Sequence, residues 1–289
     1  MDSLSTGQEF LIIIGSAKCG TTSLFDYLSE HPSICPSVPK ENGFFAEYQK
    51  KDEHWKYLRD VQHYEDFWPS FDPSVHRYRL EASTSYTRWP LEDGVAQRMH
   101  AYGVQPRLIY VVRDPIERIE SDVNRRRIVN HRPYSFDDDF FVNVSRYAKQ
   151  LDPFVEVFGR DSIRVIDFAQ LRRDPNQVCA QLYDWLGLTP NTIDSPGISN
   201  ETSGVKRSQL ERIVVGNRIL HRAAQMFPHS IREQVKKITQ RLVPYEHQRE
   251  HMPADRAVEV RNLLRADADR LAREWGIDVT PWGFESTHR

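Results

Sequence analysis

Phe10–Leu28, FLIIIGSAKCGTTSLFDYL, limits the fold more than any other stretch of the 289 residues. Phe10 to Ile14 are five consecutive apolar residues, β-branched at three positions, which is the composition of a strand buried on both faces. Gly15 to Gly20 then make a tight turn that holds one lysine, Lys18, and from Thr21 the spacing of Leu24, Phe25 and Leu28 is helical. A strand, a glycine-bounded turn and a helix start bring unpaired amides and the positive end of a helix dipole to one point. A lysine in that turn adds a full charge, so the segment is expected to bind a phosphorylated or sulfated group.

The same rhythm recurs downstream. Strands are expected at 78–82, 107–112 and 162–168, and helices at 91–102, 116–128, 144–158 and 176–186, the last capped by Gly187. Pro115 suits the first turn of its helix. Alternation of this kind predicts an α/β fold of three layers, a central parallel sheet flanked by helices, with residues 10–210 forming a P-loop-like core. From Gln209 the pattern is helical in three pieces broken near Pro228, Pro244 and Pro253, so residues 211–289 read as a helical C-terminal extension of one domain spanning 1–289. These helices also offer a surface for homo-oligomer formation. His31–Glu47 carries three prolines and reads as loop, and residues 48–72 are dense in aromatic side chains that divide between core and a lid or acceptor wall.

The net charge of −2 gives no general attraction to nucleic acid or to anionic membranes, so any anion site must be local. The apolar run at Phe10 is too short to span a bilayer and no signal peptide precedes it, which predicts a cytoplasmic protein without stable membrane insertion. Cys19, Cys35 and Cys179 form neither a CxxC pair nor a Cys/His cluster, so no disulfide framework or zinc site is expected. Cys19 reads as a small filler of the turn rather than a reactive thiol.

An NTPase P-loop places its lysine directly after the second glycine. Here Thr21 holds that position, and Lys18 lies inside the turn. The pattern G-x-x-K-x-G-T-T-S-L after a strand resembles the 5′-phosphosulfate loop of sulfotransferases that use 3′-phosphoadenosine 5′-phosphosulfate (PAPS). RLIYVVRDPIERIESD resembles their second element, an arginine after a central strand and a serine in the following helix, here Arg113 and Ser121. KENGFF resembles the segment that carries the base of the heparan-sulfate-type and related bacterial members, which falls on Glu41.

The resemblance implies sulfuryl transfer from PAPS to an acceptor hydroxyl of a carbohydrate, glycolipid or small alcohol or phenol, with PAP (3′,5′-ADP) as product and no metal. Lys18 and Glu41 would be catalytic. Ser16, Ala17, Lys18, Cys19, Gly20, Thr21, Thr22, Ser23, Arg113, Ser121, and the basic turn residues Lys206 and Arg207 would hold the donor. Lys40, Phe45, Ser83 and Tyr147 would meet the acceptor, with Ser145 and Arg146 beside them. His54 and His63 are second choices for the base. The family's acceptor-region lysine is replaced near Ala82 and Ser83. Two other readings stay open: a P-loop kinase using Mg²⁺ on Asp114 or Asp167, and a catalytically silent nucleotide-binding protein.

Overall fold

The computed structural model describes residues 9–48, 61–130, 134–193 and 249–285. Five parallel strands form one sheet: β1 (Glu9–Gly15), β2 (Ile34–Pro36), β3 (Tyr78–Ala82), β4 (Pro106–Val112) and β5 (Ile163–Asp167), in the order β2-β3-β1-β4-β5. Helices α1 (Thr21–Ser29), α2 (Val95–Tyr102), α3 (Pro115–Asn130), α4 (Asp139–Val144), α5 (Tyr147–Phe158), α6 (Phe168–Arg173), α7 (Pro175–Leu186) and α8 (Ala254–Trp275) cover both faces.

The apolar run of β1 is continuous because both its faces are buried, and alternate residues serve different cores. Leu11 and Ile13 pack with α1, α6 and α7, whereas Phe10, Ile12 and Ile14 pack with α2, α3, α4, α5 and α8. The chain first winds to one side of β1 and then to the other. This reversal opens a crevice at the carboxyl end of β1, where ligands of open α/β sheets bind.

Three expected boundaries are corrected. The proline-rich loop contains β2, a three-residue edge strand that tolerates Pro36 because an edge strand leaves one side unpaired. The expected helix over 144–158 starts only at Tyr147, and a separate short helix, α4, precedes it. α4 ends at Val144, and α5 begins at Tyr147, where the Asp267 carboxylate of α8 accepts the amides of Ala148 and Lys149 at 3.0 Å each. The expected helix from Leu91 starts only at Val95, after a left-handed Gly94. In the aromatic stretch, Tyr64, Phe67 and Trp68 are buried core, whereas Tyr48 is exposed and Phe71 partly buried. Residues 49–60 and 194–248, including His54 and most of the expected C-terminal helical pieces, lie outside the described residues.

Gly20 is the hinge between turn and helix. Its φ of 86° lies in the left-handed region, and a Cβ there would approach Phe168 Cε2 to 2.5 Å. Gly20→Ala is expected to cost about 1–3 kcal/mol, from backbone strain and overpacking together. Gly103 has a similar φ of 97° with nothing within 4 Å of a Cβ. Gly103→Ala therefore reports the backbone share alone, and equal losses for the two variants in denaturant unfolding would remove Phe168 from the explanation.

Candidate active site

The turn after β1 is fixed from below and open above. Ser16 is buried and its amide donates to Val111 O at 2.9 Å, tying the turn to β4. Cys19 is fully buried, with Sγ 3.9 Å from the Tyr147 hydroxyl, and burial pushes its thiol up to about 11. The filler reading of Cys19 therefore holds, and only its backbone can face a ligand. Leu24 N is bonded to Gly20 O at 3.1 Å, so the Thr21 and Thr22 amides ahead of it open the helix without helical acceptors. Gly20, the N-cap residue, supplies no side-chain cap.

Lys18 stands in the left-handed region at φ 71°, uncommon for a residue with a side chain. Burial lowers its pKa to about 8, with Arg125 and Arg113 adding repulsion against partial support from Asp122. Among the described residues no carboxylate lies within ion-pair distance of its ammonium. An ammonium held this way suits an incoming anion.

Arg113 sits where β4 ends, and its Nη1 donates to Lys18 O at 3.4 Å. Its Nε and Nη2 reach Glu117 Oε2 at 3.0 and 2.7 Å, and the guanidinium carbon lies 5.0 Å from the centre of the Phe168 ring. Ser121 is buried on α3, one helical turn from both Glu117 and Arg125 and hence on their face. The two cations that the sequence separates by 95 residues thus meet on one turn.

Glu41 lies on the loop between β2 and β3, with Oε1 3.1 Å from Lys40 Nζ. Lys40 also donates to Ala82 O at 3.4 Å. The family model of the sulfotransferases matches residues 11–192, which includes the turn, Glu41 and Arg113.

The chain belongs to the sulfotransferase family.

It is 28% identical over 209 residues to mouse heparan sulfate glucosamine 3-O-sulfotransferase 3B1, covering 67% of this chain and 50% of that protein. It is 24% identical over 200 residues to mouse bifunctional heparan sulfate N-deacetylase/N-sulfotransferase 4, covering 62% of this chain and 22% of that protein. The chain therefore spans half or less of the length of these curated relatives. The crystal structure of a sulfotransferase from Alicyclobacillus acidocaldarius shares the fold, with a TM-score of 0.68 at 22% identity over 96% of this chain and 98% of that one.

The residues expected to meet an acceptor lie as follows. Phe45 is buried in an aromatic cluster with Phe44, Tyr64 and Tyr102, at ring distances of 5.0, 4.7 and 5.7 Å. Ser83 is fully buried, donating to Glu81 Oε2 at 2.6 Å and accepting from Gly43 N at 2.9 Å. Tyr147 is buried behind the turn, its hydroxyl donating to Arg113 O at 2.8 Å. Ser145 accepts from Arg118 Nε at 2.7 Å, and Arg146 reaches Leu263 O on α8 at 3.0 Å. Of these five side chains, Phe45, Ser83, Ser145 and Tyr147 are buried and Arg146 is partly exposed. Lys206 and Arg207 lie outside the described residues. His63 is exposed and precedes a single 3-10 turn.

The rival metal carboxylates both cap helices. Asp114 Oδ1 accepts Ile116 N at 2.7 Å and Glu117 N at 3.2 Å, and Asp167 Oδ1 accepts Ala169 N at 2.9 Å. The kinase reading is not favoured.

Two groups escaped the sequence. Asp122 is buried on α3 between Arg118, at 3.3 Å, and Arg126, at 2.9 Å. Burial pushes its carboxyl up, but Arg118, Arg126 and Arg88 outweigh that and hold it below the usual carboxylate range. Arg118 is fully buried and also donates to Phe141 O at 2.8 Å. The signal in the sequence was the i,i+4 spacing of Arg118, Asp122 and Arg126. Glu81, the second group, is buried within β3 and had no such signal.

Proposed function

We propose that the protein is a PAPS-dependent sulfotransferase that moves a sulfuryl group to a hydroxyl of a carbohydrate or small-molecule acceptor. The observation that carries this is the contact of Arg113 with Lys18 O across the turn, which gives one ligand two cationic anchors with open helix amides between them. The donor set fits 3′,5′-bisphosphate chemistry: an ammonium without a carboxylate partner at one end and a planar guanidinium over an aromatic ring at the other.

When bound, PAPS supplies the sulfuryl group and a bisphosphate leaving group. Lys18 Nζ, Thr21, Thr22 and the turn amides would hold its 5′ side, and Arg113 with Ser121 its 3′ side, positioning rather than reacting. Lys18 would keep its proton on Nζ and offset negative charge on the leaving group. Glu41 would accept the hydroxyl proton on a carboxylate oxygen; its Oε1 is paired with Lys40 Nζ, which leaves Oε2 for that proton. The chemistry assigned to these residues needs no metal.

Residues 254–285 belong to the same unit in this reading, since Asp267 caps α5 and Val260, Leu264 and Leu271 share the core of the sheet. Val258 and Leu263, exposed on α8, are where self-association would start. Among the described residues no helix is long and apolar enough to cross a membrane. The buried free thiols Cys19, Cys35 and Cys179 suit the reducing cytoplasm.

Melting temperatures measured with 3′,5′-ADP, with 5′-AMP and with ATP plus Mg²⁺ test the reading. A hundredfold excess of 3′,5′-ADP over its Kd is expected to add about 2.7 kcal/mol. Arg113→Ala should abolish most of that shift without unfolding the protein, because its ion-pair partner Glu117 has a 58% exposed side chain and its bond to Lys18 O is long, at 3.4 Å. Stabilisation by ATP–Mg²⁺ alone would overturn the assignment.

A further inference from the structure

Glu81 occupies a position in β3 that pairs with Ile12 of β1 and faces the same aromatic core. An apolar residue would be at home there; a carboxylate is costly unless its oxygens are fully bonded. Three hydroxyls supply those bonds. Ser83 donates to Oε2 at 2.6 Å, Tyr86 donates to Oε1 at 2.9 Å, and Tyr64 also donates to Oε1.

Two of these hydroxyls also touch the segment that carries Glu41. Ser83 gives its only proton to Glu81, which turns its lone pairs outward to accept Gly43 N–H at 2.9 Å. The Tyr86 hydroxyl lies 3.3 Å from Asn42 Oδ1, which in turn accepts Phe44 N at 3.1 Å. The segment is further stitched to β3 through Ala82 N, which donates to Lys40 O at 3.0 Å.

We infer that Glu81 is a positioning residue: its carboxylate orients the Ser83 hydroxyl, and through Gly43 N–H fixes the backbone from which Glu41 reaches the acceptor. This rests on the reading of Glu41 as the base. A neutral group at position 81 breaks the arrangement, because it presents a donor where the ionised carboxylate only accepts. The Ser83 proton is then left without its acceptor, and the grip on Gly43 loosens.

The balance is reachable in ordinary buffers. Burial raises Glu81 to about 7, against the lowering effect of the Ser83, Tyr64 and Tyr86 hydroxyls and of Lys40. The groups facing it are Lys40 from the loop, Tyr64 from the 3-10 turn at Tyr64–Phe67, and Ser83 and Tyr86 beyond its own strand; Glu65 bears on the Tyr64 hydroxyl. The Tyr64 and Tyr86 hydroxyls are pushed well above their ordinary value by burial and stay protonated throughout.

Amide exchange of the full chain, read by mass spectrometry on peptides covering residues 40–46 and corrected for intrinsic rates, tests the inference. In the unmodified protein Gly43 should lose about tenfold protection between about pH 8 and about pH 6, while the turn at residues 16–20 does not change. In Glu81→Gln that protection should be low and flat at both pH values, with the 3′,5′-ADP melting shift retained. Ser83→Ala, which removes the acceptor of Gly43 N–H while leaving Glu81 in place, should show the same loss and serves if Glu81→Gln does not fold. PH-independent protection in the unmodified protein, or unchanged protection in either variant, would overturn the inference. Failure of 3′,5′-ADP to bind the unmodified protein would instead sink the donor reading and leave the Gly43 result standing.

Discussion

Replacing Lys18 with methionine is expected to raise the stability of the ligand-free protein while lowering sulfuryl transfer by roughly a thousandfold. The two effects share one cause. The turn holds the ammonium away from water and beside Arg125 and Arg113, which lowers its pKa to about 8 from 10.5. The folded protein gives up this proton more readily than the unfolded chain does, so charged Lys18 opposes folding. That cost is full below pH 8, shrinks as pH rises from 8 towards 10.5, and is gone above it.

Methionine keeps most of the aliphatic stem and removes the charge, so the gain is on the order of 1–3 kcal/mol at neutral pH and fades across the same window. Melting curves of both proteins from pH 7 to pH 11 read this directly. Parallel curves over that range would show that Lys18 is not strained by its surroundings. Transfer must fall at every pH, because the charge that opposes folding is the one that meets the leaving group. The φ of 71° adds to the same account: the backbone tolerates an unfavourable conformation at the residue proposed to carry the chemistry.

The parts of the fold that follow from local rules were legible. Strand, turn and first helix announce themselves because β1 is buried on both faces and its neighbours change periodicity within a few residues. Arg113 was legible for the same reason, standing where a strongly apolar strand stops. β2 was not, because three residues ending in proline carry no periodicity and depend on β3 for their pairing. The break between α4 and α5 was hidden because its causes are distant: Arg118 holds Ser145, and Asp267 caps α5 from a helix more than a hundred residues later.

The acceptor residues show what the sequence could not convey. Phe45, Ser83 and Tyr147 do flank the site in sequence, but sequence does not say which way a side chain turns. Each turned inward, Phe45 to fill the aromatic core, Ser83 to satisfy Glu81 and Tyr147 to brace the carbonyl of Arg113. Glu81 itself looked like an ordinary strand residue. Its importance comes from Tyr64 and Tyr86, and the pairing with Tyr64 exists only after the chain has folded.

Glu41→Gln is expected to lower kcat by about 10²–10⁴-fold while leaving the 3′,5′-ADP melting shift intact. The substitution keeps the shape of the side chain and removes only the ability to take a proton. The Lys40–Glu41 pair is only partly buried, glutamine can still accept from Lys40, and Lys40 keeps its bond to the Ala82 carbonyl, so stability should change by no more than about 1 kcal/mol. The contrast with Lys18 gives the test its force. Loss of Lys18 weakens donor binding and transfer together, because the same charge serves both; loss of Glu41 leaves the donor bound and stalls the step that needs a base. A Glu41→Gln enzyme whose kcat stays within about threefold of the parent would take the base role away from Glu41. The exposed His63 would then be the next residue to replace, since it is the one second-choice base among the described residues. A Glu41→Gln enzyme that fails to bind 3′,5′-ADP would mean instead that the Lys40–Glu41 loop builds the donor site, and the two outcomes are read from the same pair of measurements.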